Sequence, residues 1–84
     1  MIIKLSDLDA NPYLCEGRDE IYVKGAVDVS DRALVRLAQI GVVPPRCKWK
    51  RGYYDSFSVP VEHAHEFQFV PGSPHDPAEI YLYP

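Results

Sequence analysis

Hydrophobic and polar positions alternate along most of this chain, and the period of the alternation changes twice. Met1, Ile2, Ile3 and Leu5 form a short, largely β-branched run that predicts a first strand. Residues 6–12 are turn-rich and predict a single helical turn capped by Ser6, ending where Asn11 precedes Pro12. Tyr13, Leu14 and Cys15 are apolar enough to lie on the body, and residues 16–19 read as a turn. Strand character returns over 20–27, with Ile21 and Val23 on one side, Tyr22 and Lys24 on the other, and a bulge or bend at Gly25.

The period then lengthens. Ala33, Leu34, Leu37, Ala38 and Ile40 fall on one arc at about 100° per residue, with Arg32, Arg36 and Gln39 opposite. Ser30 supplies an N-cap, Asp31 an anion at the positive end of the helix dipole, and Val29 with Leu34 a hydrophobic staple. Gly41 provides the stop, and Pro44-Pro45 keeps the helix from resuming. The spacing predicts a helix over about 30–40.

Period-two alternation resumes over 46–61. Before Gly52, Cys47 and Trp49 alternate with Lys48 and Lys50; after it, Phe57, Val59 and Val61 alternate with Ser58 and Pro60. This predicts a hairpin with Trp49 and Phe57 facing inward and the lysines outward. Residues 62–65 lead into a strand carrying Phe67 and Phe69, residues 71–77 form a dense turn, and 78–84 close the chain with Ile80 and Leu82 against Tyr81 and Tyr83. The element order is β, β, α, β, β, β, β. The fold class expected is α+β: a single domain over 1–84, one helix packed on a mostly antiparallel sheet of four to six short strands. The expected core is Ile3, Leu5, Ile21, Val23, Leu34, Leu37, Ile40, Trp49, Phe57, Val59, Phe67, Phe69, Ile80 and Leu82.

Composition narrows this little. Eighty-four residues make one domain, 46% hydrophobic and 25% charged, which is ordinary for a globular chain. Most of the eight prolines lie from Pro44 onward, which favours short strands and fixed turns there. Charge changes the picture more. The net charge is −3, yet residues 46–54 carry four cations and no acid, while 55–84 carry five acids and no cation. A positive patch on an acidic body suits a specific complementary partner better than capture of polyanions in general. The first residues are too short an apolar run for a leader, and no stretch approaches a membrane span, so a cytoplasmic, reduced setting is expected, with Cys15 and Cys47 as thiols.

Candidate chemistry is sparse. The basic-aromatic stretch offers Arg46, Lys48, Lys50, Arg51, Tyr53 and Tyr54 as a partner-binding surface, with Arg51–Tyr54 as the exposed tip. Tyr, Trp and Arg are enriched at protein interfaces, while Lys and Arg beside aromatic rings also serve single-stranded nucleic acid. Placing Trp49 and the lysines on opposite faces weighs against the nucleic-acid reading, and solvated edge charges are the plain structural account. His63 and His65 share one side if their segment is extended, and His-x-His is a metal-ligand spacing, with His75, Asp76 or Cys47 as the further ligands such a site needs. Glu66 follows His65 directly, which fits cupin-like spacing poorly, so a titrating surface pair is preferred. Cys47 has cationic neighbours that would lower a thiol pKa, but its alternation with Trp49 reads as core. Ser56 and Ser58 have no nucleophile-elbow context, and phosphate loops and dinucleotide fingerprints are lacking. Arg32 and Arg36 read as a solvated face with an Asp28–Arg32 pair, because a strand and not a first helix precedes them.

The expectation is a non-enzymatic binding protein without a cofactor, an adaptor or inhibitor of the kind small phage-encoded proteins provide. Its partner is a protein in the first reading, nucleic acid bound by 46–57 in the second, and a metal at His63/His65 in the third. No membrane partner is expected. The monomer is preferred over a strand-to-strand dimer through an exposed edge at 78–84.

Overall fold

The computed structural model describes residues 2–7 and 19–84. Expectations for residues 8–18, including Asn11-Pro12, the apolar 13–15 and the thiol of Cys15, lie outside the described residues. Six strands and two helices follow in the order β1 (Ile3–Lys4), β2 (Glu20–Val23), β3 (Val27–Val29), α1 (Asp31–Gln39), β4 (Phe57–Pro60), α2 (Val61–Ala64), β5 (Phe67–Val70) and β6 (Ala78–Leu82), with a 3-10 turn over Leu5–Asp7. The fold is a small α+β domain.

The helix starts and stops as its sequence dictates. Ser30 sits in extended backbone and its hydroxyl accepts the Ala33 N–H at 3.2 Å, satisfying one of the orphan donors of the first turn. At the other end the Val42 N–H reaches the Leu37 carbonyl (2.8 Å) and the Gly41 N–H the Ala38 carbonyl (3.1 Å), the paired bonds of a Schellman motif. That motif requires a left-handed residue, and Gly41 has φ 86°. Ala33 and Leu37 are the fully buried side chains of α1, which packs against β6.

Two sheets replace the single sheet expected. One has four strands in the order β1-β5-β6-β3, with β3 and β6 parallel and the other pairs antiparallel; the second pairs β2 with β4 antiparallel. Consequently β6 is an inner strand, flanked by β3 over Ala78–Ile80 and by β5 over Glu79–Leu82, and not the edge strand expected for a dimer at 78–84. The parallel pairing of Val29 with Ile80 brings elements 51 residues apart in sequence into register, which local patterning cannot reveal.

The two sheets join through one bulged ladder. Val23 pairs with Phe57, and the next antiparallel bridge joins Val27 to Tyr54, so four steps on one strand face three on the other. The extra residue falls at the expected Gly25 bend, where the Gly25–Ala26 peptide is cis. A Cβ on Gly25 would lie 2.7 Å from backbone atoms of Tyr54 and Asp55, so only glycine permits this approach.

The core gathers Leu5, Ile21, Val23, Val27, Val29, Leu37, Phe57, Val59, Phe67 and Ile80, with Ala33 and Ala64 filling the gaps. Ile3, Leu34, Ile40, Phe69 and Leu82 are only half-buried. Trp49 is not in the core at all. Val61 departs too. The ladder ends at Pro60, which has no N–H to donate, and α2 begins at Val61, whose side chain is exposed.

Candidate functional site

The 46–54 segment is a closed loop and not half of a regular hairpin. Its base is tied by three backbone contacts: the Asp55 N–H donates to the Pro45 carbonyl (2.7 Å), the Cys47 N–H to the Tyr53 carbonyl (3.0 Å), and Arg46 and Tyr54 form an isolated bridge. Tyr54 in turn exchanges both backbone bonds with Val27, at 2.8 and 2.9 Å, so the loop grows directly from the outer edge of β3. Cys47, a buried free thiol, and Pro44 plug the base. At the tip the Tyr53 N–H turns back to the Lys50 carbonyl (3.4 Å) around Gly52, whose φ of 89° is what the third position of a type II turn demands.

This geometry explains the displaced tryptophan. Only one rung follows the Arg46–Tyr54 bridge before the backbone bends through Lys48, Trp49 and Lys50. Strand alternation ends there, and the indole is 69% exposed. The signal was present in the sequence: Lys48, Lys50 and Arg51 surround one aromatic residue, a composition that suits an exposed segment better than a core strand. Arg46, Lys48 and Arg51 are exposed, whereas Lys50, Tyr53 and Tyr54 are half-buried. The Lys50 ammonium stands 5.1 Å from the Tyr53 ring centroid and the Arg46 guanidinium carbon 6.0 Å from that of Tyr54, at cation–π distances. Tyr54 packs on the core as well as pairing with Val27, so it anchors the loop and is not part of an open tip.

Beside the loop lies an acidic cleft of about 360 Å³. Asp28 on β3, Glu79 on β6 and Asp76 in the 71–77 turn line it, together with Tyr53, Val70 and Pro77. The parallel register sets Asp28 directly beside Glu79. The Tyr81 hydroxyl donates to Glu79 in a short hydrogen bond. That bond, joined by burial and the nearby charges of Glu79 and Asp28, pushes the Tyr81 phenol above its usual pKa.

The histidines separate. Because α2 is helical, His63 and His65 point about 200° apart instead of sharing one side. His63 Nδ1 lies 2.8 Å from Glu66 Oε2; a carboxylate only accepts, so that nitrogen carries the proton. His65 and His75 are exposed, and among the described residues no group of three or more His, Cys, Asp or Glu is arranged to hold a metal. Glu66 is also gripped by Arg36, whose Nε donates to Oε1 at 2.7 Å and whose second terminal nitrogen donates to Oε2 at 3.2 Å. Arg36 also donates to Gln39 at 3.2 Å. Its bonds, followed by that of His63, hold the Glu66 carboxyl down at about 2, and Glu66 raises Arg36 in return. Arg36, expected on a solvated face, instead fastens α1 to the α2–β5 turn. Among the described residues the expected Asp28–Arg32 pair does not form.

A scan of protein-family models, a search of curated proteins and a search of solved structures each find no match to this chain. No helix among the described residues is long and apolar enough to cross a membrane.

Proposed function

We propose that this chain is a small non-catalytic docking module, an adaptor or inhibitor, that presents its 46–54 loop to a protein partner in a reduced, cytoplasmic setting. One observation carries the reading: Trp49 stands 69% exposed on a loop whose base is tied to β3 and whose other outward side chains are Arg46, Lys48 and Arg51. An indole on a pre-ordered loop loses little conformational entropy on binding, and burying its exposed surface contributes about 3 kcal/mol. Aromatic and arginine anchors of this kind dominate protein interfaces.

A second reading has its own support. Trp49 and the cations share one exposed loop, as single-strand binders require, and the opposition of faces expected from the sequence is gone. A protein is favoured because the loop borders the Asp28–Asp76–Glu79 cleft, which repels a phosphate chain running past Tyr53. Both readings are tested together. Capture from native lysate should lose its partner on Trp49→Ala with the circular dichroism unchanged, and a labelled single-stranded oligonucleotide should show no polarisation change at about 50 mM salt. An unaltered set of captured proteins removes the loop from the function; salt-sensitive oligonucleotide binding lost on Lys48→Glu makes nucleic acid the ligand.

A further inference from the structure

The loop and the cleft each hold charge without an ionic partner. Among the described residues no ion pair joins Arg46, Lys48, Lys50 or Arg51 to a carboxylate, and none joins Asp28, Asp76 or Glu79 to a Lys or Arg. Among the described residues, Asp76 accepts from the Ser73 hydroxyl at 3.2 Å and Glu79 from that of Tyr81. Two opposite charge sets thus adjoin at Tyr53 without an ion pair between them among the described residues. The cleft also has an apolar wall, Val70, Pro71 and Pro77, beside its carboxylates. An indole ringed by cations is the complement of such a surface.

We propose that the protein partner of the loop is a second copy of this chain, with the loop of each copy seated in the acidic cleft of the other. The proposal rests on the loop being a docking surface. Tyr53 belongs to both the loop and the cleft wall, so the two surfaces adjoin. Adjoining complementary surfaces can be exchanged about a single two-fold axis, and such an isologous contact closes at the dimer. In that exchange Trp49 meets Val70, Pro71 and Pro77, while Lys48, Lys50 and Arg51 face Asp28, Asp76 and Glu79. This dimer differs from one made by strand pairing at 78–84, since β6 lies inside its sheet between β5 and β3.

The test uses the intact chain alone. Sedimentation equilibrium in low salt should show a shift from 9.5 kDa towards twice that mass as the protein is raised to about 1 mM. Emission from Trp49, the only tryptophan, should move to the blue over the same range. Lys50→Glu with Arg51→Glu, and separately Asp76→Lys with Glu79→Lys, should each weaken association at least about tenfold, through like charges in both contacts. Mixing the two variants should restore the dimer, because in the mixed pair both loop–cleft contacts again join opposite signs. A monomer at about 1 mM overturns the proposal. So does a dimer that neither charge reversal weakens, or a mixture that stays monomeric. Failure here is separable from failure of the docking reading. If the chain is monomeric yet Trp49→Ala still abolishes capture of another protein, the loop binds a foreign partner; if capture is unaffected too, both fall.

Discussion

Two groups of charged side chains in this molecule are handled in opposite ways. Arg36, Glu66 and His63 lie on three different elements or turns and satisfy one another, with Arg36 and Glu66 side chains only 33% and 23% exposed. Arg46, Lys48, Lys50 and Arg51 lie within six consecutive residues and have no carboxylate partner among the described residues. The first group closes the gap between α1 and the α2–β5 turn. The second is carried on a loop whose base is tied by backbone hydrogen bonds. Charges that face other elements serve the fold, and charges left on a tied loop are available to a partner. Substitution should therefore separate stability from binding.

The largest effect is expected where the loop joins the body. Gly25→Ala places a Cβ 2.7 Å from the backbone of Tyr54 and Asp55, and the colliding atoms cannot swing aside as a side chain would. A loss of about 3 kcal/mol, read from the denaturant midpoint, is expected. A neutral result would show that the loop is not braced against the β2–β3 bend. Next comes the charge clamp. Glu66→Gln keeps the shape and weakens the grip of Arg36 and His63, and a loss of about 1 kcal/mol is expected at neutral pH for a pair that still touches solvent. The sign of its pH dependence follows from the depressed carboxyl. The folded pKa is about 2 against an ordinary 4.5, so the contribution is complete above 4.5 and disappears as pH falls towards 2. Native and variant stabilities should converge over that window. Curves that stay parallel would mean that Glu66 is not clamped.

How much of this was legible in the sequence depended on the range of the interaction. Local rules placed α1 within a residue at either end, because Ser30, Gly41 and the apolar arc act within one or two turns. They also found the Gly25 bend and the alternation of Phe57 with Val59. They could not give the partner of β4. The run over 46–61 looked like a hairpin folded on itself, yet β4 pairs with β2, and its neighbour Tyr54 pairs with Val27. Without that pairing, alternation alone puts Trp49 on a strand face that the fold does not form. Arg36 illustrates the same limit: nothing near it in sequence announces Glu66, 30 residues on. Of the candidate site, Arg46, Lys48 and Arg51 are exposed as alternation implies while Lys50 is half-buried, and the role of Tyr54 as anchor and the acidic cleft both arise from pairings between distant strands.

The smallest stability effects should come from the loop itself, and these bear most directly on the comparison. Gly52→Ala meets no neighbouring atom within 4 Å, so its cost is only that of forcing an alanine to φ 89°, about 1 kcal/mol. Because the strain falls on the turn, association should weaken even though the core is untouched. Trp49→Ala should alter stability by less than about 0.5 kcal/mol, since the indole is 69% exposed and its removal leaves no cavity. Its effect on association should be the largest of any single residue, because among the described residues it is the most exposed aromatic, at 69% against 38% for Tyr81. The diagnostic is therefore the pair of measurements taken together. A denaturant midpoint that hardly moves beside an association constant that collapses would mark Trp49 as a residue kept for contact. A midpoint that falls with association unchanged would return the indole to the structural group, and with it the cations that surround it.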